Sequence, residues 1–188
     1  MLKGLQRLAQ PGQRVRYLCQ DETRLGLKTI PGRLITARGV KPVGETQWQR
    51  GCFWLYGAVE PLTGFSFFYE FSHLDRLCFQ QFLALLSLQL GDDIAVMQVD
   101  QASAHTANAL VCPSNIILTF QPSHAPELNP IERLWLFLKK QFAWVNCPTL
   151  EELRQLLASE LDQLAPELIA SLTSYDFILE ALFGAALY

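Results

Sequence analysis

Three carboxylates stand out by their neighbours and their places in the chain: Asp21 in Gln-Asp-Glu-Thr, Asp100 in Val-Asp-Gln-Ala-Ser-Ala-His, and Glu132 in Asn-Pro-Ile-Glu. Asp21 and Asp100 each close a run with strand character, and Glu132 falls in the first turn of an amphipathic helix. If the two strands are parallel neighbours, both Asp side chains emerge at one sheet edge, where such sheets place their chemistry. The loop ahead of the helix then brings Glu132 to the same place. Three carboxylates in one site repel and push at least one pKa upward unless a cation joins them. A hard ion such as Mg²⁺, which takes one or two carboxylates with water and phosphate oxygens, relieves that repulsion. A pair of such ions roughly 3.5–4 Å apart stabilises both the attacking and the leaving oxygen of a phosphodiester displacement.

Taken singly, each residue has a plainer explanation. Asp21 and Asp100 are ordinary loop-capping types, and Asn129-x-x-Glu132 is close to a capping box. Only their combination favours the metal. Glu22 is either a rival to Asp21 as ligand or a residue that tunes it from behind. His105, five residues after Asp100, is either packing or the margin of the site, and for His124, in the loop before Glu132, both roles stay open.

The elements that must position these groups follow from pattern. Residues 1–12 read as a linker stub and 13–188 as one domain. Arg14–Gln20 is expected to be a strand ending at Asp21-Glu22, followed by a Gly- and Pro-rich loop to Arg50 with a short strand or two. Cys52–Val59 and Phe65–Phe71 form a hairpin about the turn Glu60-Pro-Leu-Thr-Gly64. A helix spans about Asp75 to Leu90 and stops at Gly91. Ile94–Val99 is a buried strand, Ser103–Leu110 a short helix and Asn115–Phe120 a fifth strand. Asn129 is expected as N-cap and Pro130 as the first residue of a helix whose stripe is Ile131, Leu134, Trp135, Leu138 and Phe142. Thr149-Leu-Glu-Glu152 caps another helix, with an apolar stripe that runs to Leu164, and a last helix covers Tyr175–Leu182. Three antiparallel strands followed by parallel ones make an α/β fold with a mixed five-stranded sheet flanked by helices.

The 188 residues suit one core, with half of them hydrophobic and a net charge of −3. That charge is unevenly spread. Thr23–Arg50 holds Arg24, Lys28, Arg33, Arg38, Lys41 and Arg50 against Glu45 alone, whereas Glu151–Glu180 has Arg154 as its only base. The first stretch is a candidate phosphate-contacting surface, together with Lys139 and Lys140; Lys139 lies two helical turns beyond Glu132 and can face the same side. The five cysteines form no C-x-x-C pair, and the three histidines are not at zinc-ligand spacing. Reduced cytosolic thiols are expected, with no signal peptide and no membrane span. The lack of a Gly-rich phosphate loop disfavours a small-molecule α/β enzyme.

Together the three motifs, extended in the last case to Pro-Glu-Leu-Asn-Pro-Ile-Glu-Arg-Leu-Trp, resemble the catalytic domain of bacterial insertion-sequence transposases of the Tc/mariner superfamily, of the IS-six-thirty type. The likeness runs from about Gln13 to the C-terminus. It implies a ribonuclease-H-like fold with Asp21, Asp100 and Glu132 as both catalytic residues and ligands of two Mg²⁺ or Mn²⁺ ions. It further implies nicking of double-stranded DNA at transposon ends and attack of the freed 3′-OH on target DNA, by a homodimer at a bacterial nucleoid in the cytoplasm. Departures are Gln101, where relatives commonly carry Asn, and Pro122-Ser-His-Ala-Pro126 in the loop. The helix-turn-helix region that related enzymes carry upstream is absent from this sequence, which resembles the downstream part of a split-frame or truncated transposase with a possible upstream-frame helix-turn-helix partner. A decayed or repurposed fragment that only binds DNA or a partner is the competing reading, and a stand-alone nuclease such as a junction resolvase is disfavoured by Asn-Pro-Ile-Glu.

Overall fold

The computed structural model describes residues 9–33, 35–106, 109–123, 125–176 and 180. Its strands are β1 (Val15–Gly26), β2 (Cys52–Val59), β3 (Ser66–Phe71), β4 (Ile94–Val99) and β5 (Ile116–Phe120). Its α-helices are α1 (Arg76–Leu90), α2 (Ile131–Gln141), α3 (Leu150–Asp162) and α4 (Pro166–Thr173), with a single 3₁₀ turn at Pro126–Leu128 ahead of α2. The sheet order is β3-β2-β1-β4-β5. The β1–β2 and β2–β3 pairs are antiparallel, and β1–β4 and β4–β5 are parallel. This is the expected mixed sheet of five strands.

Strand β1 is longer than its sequence suggests, and Asp21 lies inside it rather than at its end. Its first part, Val15 to Cys19, runs alongside β4, and its second part, Cys19 to Gly26, continues against β2. The parallel partner stops at Val99 while the antiparallel one carries β1 onward, so a strand end exists on one side only.

Alternation along β1 divides its side chains between two cores. Tyr17, Cys19 and Leu25 join Ile131, Leu134, Trp135 and Leu138 of α2 on one face. Leu18 joins Phe79, Phe82, Leu83 and Leu86 of α1 on the other. Asp21 follows the first set and Glu22 the second, so two adjacent carboxylates face opposite sides of the sheet.

Local signals set most helix ends. Asp75 caps α1 by accepting from the Cys78 N–H at 2.9 Å, and Gly91 ends it with φ 59°. Thr149 caps α3 by accepting from the Glu152 N–H at 3.2 Å. Three expectations need correction. Asn129 does not cap α2 with its side chain, whose Nδ2 is turned to the Gln20 carbonyl and whose Oδ1 accepts from no N–H of the first turn; the helix begins after Pro130, which already has helical φ and ψ. The described part of Ser103–Leu110 is a turn, closed by Ala102 O accepting from the His105 and Thr106 N–H groups. Between Thr29 and Arg50 the described residues form no strand, only an isolated bridge from Ile30 to Ala143.

Helix α4 was not anticipated. The stripe reaching Leu164 suggested one long helix, but Pro166 cannot continue a helix and suits the first turn of a new one. The helix expected over Tyr175–Leu182 falls largely outside the described residues. Gly64 shows a long-range demand: it has φ 71°, and a Cβ there would lie 1.8 Å from the Pro166 carbonyl oxygen. No helix among the described residues is long and apolar enough to cross a membrane.

Gly57 pairs with Asp21 across β1–β2, and a Cβ on it would lie 2.5 Å from the Trp135 ring and 3.0 Å from Phe68. Gly57→Ala should therefore overpack this contact and cost about 1–3 kcal/mol in urea unfolding. An unchanged midpoint and slope would contradict the packing described.

Candidate active site

The three carboxylates singled out in the sequence meet. Cys19 is level with Gln98 in the parallel register, and two residues further Asp21 is level with Asp100, just beyond the end of β4. Glu132 enters from the first turn of α2. Asp21, Asp100 and Glu132 line one cleft of about 360 Å³, walled otherwise by Gln101, Ala102, Gln121, Asn129 and, from the loop after β5, Pro122, Ser123, Ala125 and Pro126.

Each is placed by identifiable contacts. Trp135, one turn after Glu132, donates its indole N–H to Asp21 Oδ2 at 2.9 Å, which fixes α2 against β1. Asn129 is buried and donates its amide to the Gln20 carbonyl at 2.9 Å, anchoring the start of α2 beside Asp21. Gln98 donates to the Leu128 carbonyl and to Gln121 Oε1, both at 2.9 Å, and its own Oε1 accepts from the Tyr17 hydroxyl. Gln101 donates to the Gln121 carbonyl and accepts from the Ser123 hydroxyl, both at 2.9 Å, and so latches the cleft's outer loop.

Asp100 is held from behind. Its Oδ1 accepts from the Ala102 N–H at 2.9 Å and from His105 Nδ1 at 2.7 Å. His105 Nε2 lies 3.0 Å from Glu22 Oε1 on the far face of the sheet. Glu22 is thus not among the residues that line the cleft. His124 lies outside the described residues.

The electrostatics of the cleft are unbalanced. Burial, and then the negative charges of Glu22 and Glu132, push Asp21 up to about 7 despite its bond from Trp135. Burial also raises Glu132; the Lys139 ammonium opposes this and Asp100 adds to it. Asp100 instead falls below its ordinary value, chiefly through the His105 hydrogen bond. Burial works against a charged His105, but its bonds to Asp100 and Glu22 prevail and raise it to about 10.

An all-oxygen donor set with two carboxyls pushed upward suits a hard divalent cation, because positive charge would restore both as ligands. Asn129 Oδ1, buried and without a partner among the described residues, adds another oxygen on the wall. Among those residues no three His, Cys, Asp or Glu side chains are gathered closely enough to enclose an ion unaided. Such an ion needs only one or two carboxylates and completes its shell with water and phosphate.

The proposed phosphate contacts divide. Lys139 is near enough for its charge to act on Glu132, and Lys140 is exposed beside it. Arg24 and Lys28 line a separate cleft of about 470 Å³ with Arg50, and Arg33, Arg38 and Lys41 are exposed on the 31–50 loop. None of the described residues lining the carboxylate cleft is basic. Trp135 was read from sequence only as core. Its position three residues after Glu132 and the need of a buried indole N–H for an acceptor are the signals that point to its second role.

Comparison with known proteins bears on the family and the fold. Residues 16–154 match a family model described as DDE superfamily endonuclease. An uncharacterized protein of Sinorhizobium fredii, y4pE/y4sA, is 36% identical over 87 residues, covering 46% of this chain and 64% of that one. The Mos1 transposase paired-end complex with left transposon end matches with a TM-score of 0.68 at 15% identity, over 84% of this chain and 51% of that chain. The Mos1 mariner paired end complex with Mn gives 0.67 at 16% identity, over 84% and 51%. At these identities the likeness establishes the ribonuclease-H-like fold alone, and this chain spans about half the length of the Mos1 chains.

The raised Asp21 pKa has a consequence for stability. Folded Asp21 keeps its proton up to about pH 7, whereas the unfolded chain releases it near the ordinary 3.8. Its contribution is therefore complete at low pH and falls as pH rises through 7. Asp21→Asn has no proton to lose. In EDTA, urea unfolding should show the variant gaining about 2 kcal/mol on wild type between pH 4.5 and pH 8, a figure discounted for partial exposure. An equal difference at both pH values would contradict the burial assigned to Asp21.

Proposed function

The chain belongs to the DDE superfamily endonuclease family, and from that premise we propose that it is the metal-dependent catalytic domain of a transposase, of the IS-six-thirty branch. Its reaction is hydrolytic nicking at transposon ends followed by attack of the freed 3′-OH on target DNA. The observation that carries this reading is the convergence of Asp21, Asp100 and Glu132 on one cleft, two of them raised in pKa.

Asp21, Asp100 and Glu132 would hold Mg²⁺ or Mn²⁺. When bound, a pair of such ions supplies Lewis-acid stabilisation of the attacking and leaving oxygens. The chain's own residues do the positioning. Trp135 restricts Asp21, the Asn129 anchor sets where α2 begins and hence where Glu132 points, and the Ala102 N–H holds Asp100 Oδ1. The Gln101 latch holds the loop that borders the cleft.

Double-stranded DNA is the substrate we propose, with Lys139 and Lys140 on phosphates next to the site. Arg24 and Lys28, and the exposed Arg33, Arg38 and Lys41, meet phosphates further along the duplex. Such contacts fix register without reading sequence, and they make binding fall with salt. Mos1 structures similar in fold are paired-end complexes, among them ones with Mn and with Mg. By analogy a second copy of this chain is the proposed partner, at a bacterial nucleoid.

Nicking of supercoiled plasmid in Mn²⁺ tests this. Wild type should nick, EDTA should abolish the reaction, and Glu132→Gln should slow it by at least about 100-fold, equivalent to about 2.7 kcal/mol of transition-state stabilisation. Undiminished nicking by Glu132→Gln would overturn the assignment of Glu132.

A further inference from the structure

His105 is not a ligand in the scheme above, yet it is fully enclosed at the site, with none of its side-chain surface exposed. It sits in the turn after β4, and its ring lies against Phe79 of α1 at 4.2 Å between centroids. Packing alone would ask only for a flat ring. Both nitrogens instead meet acceptors, Nδ1 at 2.7 Å from Asp100 Oδ1 and Nε2 at 3.0 Å from Glu22 Oε1.

Glu22 is itself placed for this contact. It faces the α1 side of the sheet with 5% of its side chain exposed, and Gln20 Nε2 donates to the same Oε1 at 2.8 Å. A carboxylate buried so deeply requires donors, and His105 and Gln20 provide them. Asp100 contrasts with it: 44% of its side chain is exposed, and both of its recorded donors, His105 Nδ1 and the Ala102 N–H, converge on Oδ1. The second carboxylate oxygen is the one left to serve the cleft.

We infer that His105 is a positioning residue for Asp100. It forms a clamp that runs from Glu22 on the far face of β1, around the sheet edge, to Asp100 Oδ1, and so presents Oδ2 to the divalent cation. The inference rests on the metal reading of the cleft and adds to it a residue that touches neither DNA nor ion. Clamps of this kind hold ligand geometry, and their loss commonly lowers metal affinity by 10–100-fold.

Two substitutions separate the clamp from packing. The Asn amide reaches the place of Nδ1 and can still donate to Asp100. The Gln amide reaches the place of Nε2 and can contact only Glu22. Mn²⁺ affinity of the 188-residue chain, read from the electron paramagnetic resonance signal of free Mn²⁺, is measured beside the melting temperature, with Asp100→Asn as the control that removes the ligand.

The clamp predicts that His105→Gln binds Mn²⁺ about 10–100-fold more weakly than wild type and that His105→Asn recovers most of that loss. The clamp also predicts this order even though Asn, the smaller side chain, melts lower. A packing role predicts the reverse, with affinity following stability and Gln the better replacement. Equal affinities in the two variants, or Gln superior to Asn, would overturn the clamp while leaving the metal site standing. A folded wild type that takes up no Mn²⁺ would overturn the metal reading and the clamp together.

Discussion

The hydrogen bond from the Trp135 indole to Asp21 Oδ2 is the contact on which the rest of the site depends. It joins the central strand to the helix that carries Glu132, and so ties the positions of two carboxylates far apart in the chain. The bond exists because Gly57, paired with Asp21 on the neighbouring strand, has no Cβ to obstruct the indole. The apolar face of α2 is buried through Ile131, Leu134 and Leu138 beside Trp135. Apolar burial therefore supplies the helix's adhesion, and two polar contacts, Trp135 to Asp21 and Asn129 to the Gln20 carbonyl, set its register against the strand.

Charge is distributed across the sheet with similar economy. The pleat sends Asp21 to the α2 face and Glu22 to the α1 face, so neighbours in sequence serve different purposes. On the α1 face Glu22 is matched by His105. On the cleft side Asp21 and Glu132 are raised by burial and by other carboxylates, while Asp100 is lowered by His105. Environments that separate the pKa values of nearby carboxyls are characteristic of working sites. Here they leave the cleft with a deficit of positive charge that a divalent cation would fill.

Much of this was legible in the sequence because it was local. Alternation gave the strands, Asp75 and Thr149 gave two helix starts, and Asn-Pro-Ile-Glu placed Glu132 in a first helical turn. The features that escaped are set by partners far away in the chain. Strand β1 runs past Asp21 because β2 pairs with it there, which no pattern within residues 14–26 reveals. The segment after Asp100 has helical composition, yet His105 is drawn toward Glu22 and the described part of the segment folds as a turn. Asn129 has a capping residue's identity, but its amide reaches the Gln20 carbonyl instead. Pro166 was the one local signal passed over, because the leucine stripe ran up to it without a break.

The central claim is that Asp21, Asp100 and Glu132 form a site for divalent cations. Its most direct test is anomalous diffraction from a crystal of this chain soaked in MnCl₂. The account predicts a Mn²⁺ peak in the cleft, liganded by at least two of these three carboxylates and lost in an Asp100→Asn crystal. A fully soaked crystal with no peak in the cleft, or with Mn²⁺ bound only elsewhere, would contradict it.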